Sequence, residues 1–186
     1  MNRSQQDNIT DLSTQDYKNI MTITEDLVSD IAATMIANKE NISVAESVSS
    51  GLLQLCFSQG KDASEFFQGG MTVYTLNQKV KHLNVDEEEA SQFNCVSPHI
   101  AETMALNVAK KFESNWSVAI TGYANPVPES EEELFAYFSI AYNGTIIHTE
   151  KLELHPEINS LNAQFRYTES ILECLKNELS KRKQNE

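Results

Sequence analysis

Asn143-Gly144 sits between two β-prone runs, Phe135 to Tyr142 and Thr145 to Leu154. A two-residue turn that follows the twist of its strands needs positive φ at both central positions, and asparagine followed by glycine is the strongest short-range signal for it. The pair therefore predicts an antiparallel hairpin in the last third of the chain. Upstream, apolar runs of strand length alternate with segments of helical period, the signature of a sheet with helical crossovers. Together these predict an α/β fold: a three-layer α/β/α domain with a mixed sheet, closed by the β-hairpin and a C-terminal helix.

The crossovers are marked by their ends. Thr22-x-x-Glu25 has the form of a capping box ahead of Leu27, Val28, Ile31, Ala32, Met35 and Ile36, so a helix is expected to start near Thr22 and stop near Asn38. Residues 1–20 are polar and read as an arm, leaving residues 21–186 as the single domain. Ile42 to Ala45 reads as a short strand that breaks at Glu46 to Gly51, and Leu52, Leu53 and Cys56 begin a helix. Gly69-Gly70 predicts a kink leading into a strand at Met71 to Tyr74, followed by a short helix over Gln78 to Leu83. Asp86-x-x-Glu89 caps a further short helix, and Ser97-Pro98 opens a longer one with a stripe of Ile100, Met104, Ala105, Val108 and Phe112. Trp116 to Ile120 is a buried-type strand running into the Gly- and Pro-containing loop Thr121 to Pro126. From about Ile158 an amphipathic helix carries Phe165, Ile171, Leu172, Leu175 and Leu179 into Lys181-Arg182-Lys183.

Composition removes several classes of function. The 27 acidic residues outnumber the 14 basic ones, a net charge of −13, so the field of the whole molecule repels polyanions and no nucleic-acid partner is expected. No apolar run approaches the ~20 residues that span a bilayer, and the first seven residues lack the apolar core of a secretory signal, so a cytoplasmic protein with no membrane partner is expected. The three cysteines, Cys56, Cys95 and Cys174, have no metal-ligand spacing and read as free thiols. Asn-x-Ser/Thr sequons at Asn8, Asn41, Asn115 and Asn143 read as coincidence without a secretory route. His82, His99, His148 and His155 fall on separate segments and support neither a zinc protease nor an α/β-hydrolase.

In an open α/β sheet ligands bind outside the carboxyl ends of the strands. Three loops here follow strands, those holding Ser47, Tyr74 with Lys79, and Thr121 to Pro126. Ser47 ahead of a helix start would sit near backbone N–H groups suited to an oxyanion or phosphate. Serine is almost inert at its ordinary pKa and needs a base, and Lys79 is the nearest loop candidate. Read without a family, Ser47, Ser49 and Ser50 also suit simple helix-capping loop residues.

The ordered segments Ala45-Glu46-Ser47-Val48-Ser49-Ser50-Gly51-Leu52-Leu53, Phe67-Gln68-Gly69-Gly70-Met71-Thr72-Val73-Tyr74 with Lys79, Val96-Ser97, and Ala119-Ile120-Thr121-Gly122-Tyr123-Ala124-Asn125-Pro126 resemble the C-terminal domain of the CinA competence/damage-inducible proteins. The resemblance runs from about Thr24 to Leu179. It implies a homo-oligomeric nicotinamide-nucleotide amidase that converts nicotinamide mononucleotide to nicotinic acid mononucleotide and ammonia without a cofactor. It places the nucleophile at Ser47, the base at Lys79 and an orienting or relaying tyrosine at Tyr74. Glu46, Ser49, Ser50, Gly51, Thr121, Gly122, Ala124 and Asn125 are then the expected substrate-binding residues. The separate N-terminal domain that family members often carry is not expected, since some 20 polar residues precede the resemblance.

Three departures from the family pattern bear on function. Ser50 and Asn125 stand at glycine positions, and Glu129-Ser130-Glu131-Glu132-Glu133 replaces a glycine-rich turn and a Lys-Pro-Val-Gly-Thr segment. A positive φ at Ser50 would be strained, Asn125 tolerates one better, and the charge run reads as a solvated, altered lid. They motivate a second reading, a catalytically silent paralogue that binds a ligand or partner.

Overall fold

The computed structural model describes residues 14–183. Five strands, β1 (Ile42–Glu46), β2 (Phe67–Thr72), β3 (Trp116–Gly122), β4 (Leu134–Tyr142) and β5 (Thr145–Leu154), form one sheet in the order β2-β1-β3-β4-β5. β1 runs parallel to β2 and β3, whereas β4 is antiparallel to both β3 and β5. The hairpin turn is as expected, with Asn143 at φ 46° and Gly144 at φ 76°. Among the described residues seven α-helices surround the sheet, α1 (Thr14–Asn38), α2 (Leu52–Ser58), α3 (Ala63–Phe66), α4 (Leu76–Leu83), α5 (Glu87–Gln92), α6 (Pro98–Phe112) and α7 (Ser160–Lys183), with a 3-10 turn at Pro128–Ser130.

Strand alternation divides the core. Ile42, Val44, Trp116, Val118, Ile120, Phe138 and Ile140 point to one face, where α1, α2, α3 and α7 cover them with Ile31, Met35, Phe57, Phe66, Tyr167 and Leu172. The opposite face is built from small residues. Ser43, Ala45, Ser117, Ala119 and Ser139 are fully buried there, and α6 lies against them with Ile100, Met104, Ala105 and Val108. Short side chains let the helix approach closely enough for Ser117 Oγ to donate to the Ala105 carbonyl at 2.7 Å. The result is the expected α/β/α sandwich.

Two caps sit where the sequence puts them. Ser97 Oγ accepts from Ile100 N–H at 3.1 Å at the start of α6, and Asp86 Oδ1 accepts from Glu89 N–H at 2.8 Å at the start of α5. Two expectations are corrected. α1 is already helical at Thr14, the first described residue, rather than starting at Thr22, since no glycine or proline interrupts residues 14–22. The domain boundary set at residue 21 thus falls inside a helix, while the rest of the arm and the sequon at Asn8 lie outside the described residues. Gly69 and Gly70 lie within β2 rather than before it. A Cβ on Gly70 would meet Val44 Cγ2 at 2.5 Å and the Val44 carbonyl at 2.6 Å, and Gly69 at φ 118° accompanies the register shift opposite Ile42 and Ser43.

Candidate functional site

β1 ends at Glu46, a fully buried carboxylate with four donors. Its Oε2 accepts from Ser49 Oγ at 2.6 Å, Gly51 N–H at 3.0 Å and Leu53 N–H at 3.1 Å, and its Oε1 accepts from Gln54 N–H at 2.9 Å. A carboxylate on the first N–H groups of α2 satisfies donors that a helix cannot satisfy itself and complements the positive end of its dipole. The loop between β1 and α2 is thereby wound around Glu46. Ser50 closes that turn at φ 53°, its N–H donating to the Ser47 carbonyl at 3.2 Å, so the left-handed geometry anticipated from the missing glycine is present.

This winding holds Ser47 at the strand tip, buried, with its N–H donating to the Ile120 carbonyl at 3.1 Å. The strand pairing of β1 with β2 continues one residue further, where Val73 N–H donates to the Glu46 carbonyl at 2.8 Å. There the chain turns into α4, and Lys79 reaches back from that helix. Lys79 is 1% exposed, and its Nζ lies 2.9 Å from Ser47 Oγ, 3.0 Å from the Val73 carbonyl and 3.2 Å from the Tyr74 carbonyl. Among the described residues no carboxylate touches its nitrogen. Burial removes the water that would stabilise its charge and lowers its pKa, a shift opposed in part by the nearby Cys95 thiol.

The pair opens into a cavity of about 490 Å³ at the carboxyl ends of the parallel strands. Ser47 and Val48 form its floor; Tyr74, Thr75, Leu76 and Lys79 one wall; Ala90, Ser91, Asn94, Cys95 and Val96 a second; and residues 121–125 with Val127 a third. Thr121 Oγ1 donates to the Cys95 carbonyl at 2.7 Å and joins the last two walls. Among the described residues Lys79 is the one charged side chain in this lining, and none of them offers an imidazole or a carboxylate there. The backbone N–H of Val48, the residue after Ser47, has no hydrogen-bond acceptor among the described residues.

The expected site residues divide into two groups. Ser47, Lys79, Tyr74, Thr121, Gly122, Ala124 and Asn125 border the cavity, whereas Glu46, Ser49, Ser50 and Gly51 stand behind Ser47 and are absent from its wall. Glu46 and Ser49 are absent because they bond to each other and to the α2 terminus. Tyr74 touches Lys79 through its carbonyl, while the residue as a whole is 69% exposed and its hydroxyl has no partner among the described residues. Gly122 is demanded by packing, since a Cβ would lie 2.4 Å from Ala136 Cα. Asn125 is exposed and is not among the positive-φ residues, so the loss of glycine there strains nothing. The acidic run turns outward: Glu129, Glu131, Glu132 and Glu133 are exposed, and Ser130 Oγ pins the turn by donating to the Glu133 carbonyl at 2.6 Å.

Sequence reasoning missed the second wall. Asn94 and Cys95 adopt φ 47° and 63° in succession and fold the α5–α6 connection over the cavity. Neither is a glycine, so composition carries no signal for that turn; the pairing of Cys95 with Thr121 is tertiary and equally silent.

Comparison with known proteins agrees with this architecture. The CinA C-terminal domain family matches residues 24–179. A CinA-like protein of Prochlorococcus marinus subsp. pastoris is 34% identical over 131 residues, 69% of this chain and 30% of that protein. Another, from Prochlorococcus marinus strain MIT 9301, is 31% identical over 151 residues, 80% of this chain and 35% of that protein. The chain spans about a third of the length of these curated relatives. Among solved structures, the competence damage-inducible protein A (ComA) of Klebsiella pneumoniae superposes with a TM-score of 0.78 at 19% identity, covering 84% of this chain and 97% of that one. The competence/damage inducible protein CihA of Agrobacterium tumefaciens gives 0.76 at 24% identity, covering 85% and 96%. At such identities the likeness is one of fold.

Proposed function

The chain belongs to the CinA C-terminal domain family, and from that premise we propose that it is an amidohydrolase acting on nicotinamide mononucleotide or a closely related small carboxamide, with Ser47 as nucleophile and Lys79 as base. The observation that carries this reading is the 2.9 Å contact between a buried Ser47 Oγ and a buried Lys79 Nζ that no carboxylate neutralises. A structural lysine buried for stability would be expected to have a carboxylate partner, because an unpaired buried charge is costly. A lysine that is to work as a base needs the opposite, an environment that favours the neutral amine.

The three contacts of Nζ suit the neutral form as well as the charged one. As an ammonium Nζ donates to all three oxygens, Ser47 Oγ, the Val73 carbonyl and the Tyr74 carbonyl; as the neutral amine it keeps two of its N–H groups for the carbonyls and turns its lone pair to the Ser47 hydroxyl. As Ser47 Oγ bonds to the amide carbon, its proton passes to Nζ, and the ammonium formed has a third N–H directed at the reacting oxygen. Charge developing on the amide oxygen would be met by the unpartnered N–H of Val48. Nζ then returns the proton to the departing nitrogen, the carbon–nitrogen bond breaks, and ammonia leaves. Water adds to the resulting ester with Lys79 again taking the proton, and Ser47 is released with the carboxylic acid product.

Ammonia release from nicotinamide mononucleotide, with detection of the acid, tests this directly. Ser47→Ala and Lys79→Ala are each expected to lower kcat by at least ~1000-fold, and the double variant by hardly more, because the two act as one unit. Turnover that survives Ser47→Ala would remove the nucleophile assignment. The silent-paralogue reading rested on Ser50, Asn125 and the acidic run, and neither of those residues nor those carboxylates intrudes on the Ser47–Lys79 contact. That reading would regain ground if the wild-type protein bound the nucleotide and released no ammonia.

A further inference from the structure

Far from this cavity, the outermost strand and the last helix share a cluster of side chains that the proposed reaction does not use. His148 and Glu150 are two residues apart on β5 and so face the same way; their strand partners Ile140 and Phe138 show that this is the face covered by α7. Cys174 and Glu178 are four apart on α7 and so share one side of that helix. The donor atoms of His148, Glu150 and Cys174 all lie within 4.8 Å of one another. His148 Nε2 is 2.9 Å from Glu150 Oε2, and His148 Nδ1 is 3.9 Å from Glu178 Oε1. The imidazole is held in place by stacking on Phe138 at 5.4 Å between ring centroids.

The geometry points to a divalent transition-metal site, best suited to Zn²⁺, that joins β5 to α7 through His148, Glu150 and Cys174, with Glu178 beside the other imidazole nitrogen. One imidazole, one thiolate and one carboxylate, with water completing the tetrahedron, form a mixed nitrogen, sulfur and oxygen set that suits zinc and its analogue cobalt, rather than calcium or magnesium with their oxygen-only shells. Tetrahedral bonds of about 2.0–2.3 Å put neighbouring ligand atoms roughly 3.3–3.8 Å apart, so the cluster needs to contract by about 1 Å. Glu150, about half exposed, has the freedom to swing inward. With Nε2 on the metal beside Glu150, Nδ1 faces Glu178, which can orient the ring. Lys181, which pairs with Glu178 at 2.5 Å, is two-thirds exposed and can withdraw to solvent as the cation enters. The Cys174 thiol gives its proton to solvent on binding. A metal here would fasten β5, an edge strand of the sheet, to α7.

The test uses tag-free full-length protein freed of metal with a chelator and titrated with Co²⁺, whose thiolate complexes show charge-transfer absorption in the near ultraviolet. One Co²⁺ per chain is expected, with that absorption present, displaced by Zn²⁺, retained in Cys95→Ser and Cys56→Ser, and lost in Cys174→Ser. His148→Ala is expected to weaken binding at least tenfold, and Glu178→Gln to weaken it while leaving the fold as judged by circular dichroism. Absence of the thiolate absorption in the wild-type protein, or its survival in Cys174→Ser, would overturn the site. Amidase turnover is not part of the readout, so failure here and failure of the proposed activity are separate results.

Discussion

At the scale of single residues, the reading depends on the charge state of Lys79. Burial lowers its pKa, so the neutral amine is populated below the ordinary lysine value of about 10.4. Since the base must be neutral, kcat/KM is expected to rise with pH through that lowered pKa and to level off before the pH at which an exposed lysine titrates. A rate that is flat across this interval would show that Lys79 is not the titrating base. The same shift has a consequence for stability. Between the lowered and the ordinary value the unfolded chain binds the proton more strongly than the folded one, so folding stability gains from this group as pH rises across the window, and Lys79→Met should abolish that gain. Tyr74 makes a separate point. The resemblance assigns its side chain a relay, yet the contact it makes to Lys79 is through its carbonyl, and its hydroxyl has no partner among the described residues. Tyr74→Phe is therefore expected to keep kcat within about threefold, with any loss falling on KM; a loss approaching that of Lys79→Ala would establish the relay.

At the scale of elements, the β1–α2 turn is held by one carboxylate. Glu46→Ala removes the acceptor of three backbone N–H groups and of Ser49 Oγ in a buried place. Each orphaned donor costs roughly 1–3 kcal/mol, so a loss of about 3 kcal/mol or more is expected. For a chain of this size that lowers Tm by about 6–12 °C, and it should reduce kcat as well because Ser47 is held by the same turn. A Tm within a degree of wild type would mean that the loop keeps its shape without Glu46. Glu46 also shows what a sequence does not disclose. Its side chain caps a helix that begins six residues later, a non-adjacent cap that no spacing rule describes, so it was read as a substrate contact. Elements whose determinants are local were legible: the Asn143-Gly144 turn, the Ser97-Pro98 start of α6 and the Asp86 cap of α5 each act within four residues. Thr22-x-x-Glu25 has the right letters for a cap but lies in mid-helix, because a capping motif begins a helix only where the upstream chain stops being helical. Gly69-Gly70 signals a break, whereas Gly70 serves close packing against Val44, 26 residues earlier on β1, and Gly69 lies against Phe112 on α6.

At the scale of the whole molecule, charge and cavity meet in one expectation. The chain carries a net charge of −13, and four exposed carboxylates of residues 129–133 follow the loop that forms one cavity wall. Inside, the sole charged group is Lys79, and its burial works against that charge. A nucleotide bearing a phosphate thus approaches through a repulsive field and finds no other cationic side chain in the described lining. Such repulsion acts over the Debye length, about 10 Å at 0.1 M salt and 3 Å at 1 M. Raising ionic strength should therefore lower KM for nicotinamide mononucleotide while leaving kcat unchanged, and the corresponding riboside, which lacks the phosphate, should show no such gain. Replacing residues 129, 131, 132 and 133 by glutamine is expected to give the low-KM behaviour already at low salt. A KM for the nucleotide that rises with salt would instead mean that an attractive cation serves the phosphate. The described residues of a single chain place none in the cavity wall, so that outcome would direct attention to a neighbouring subunit.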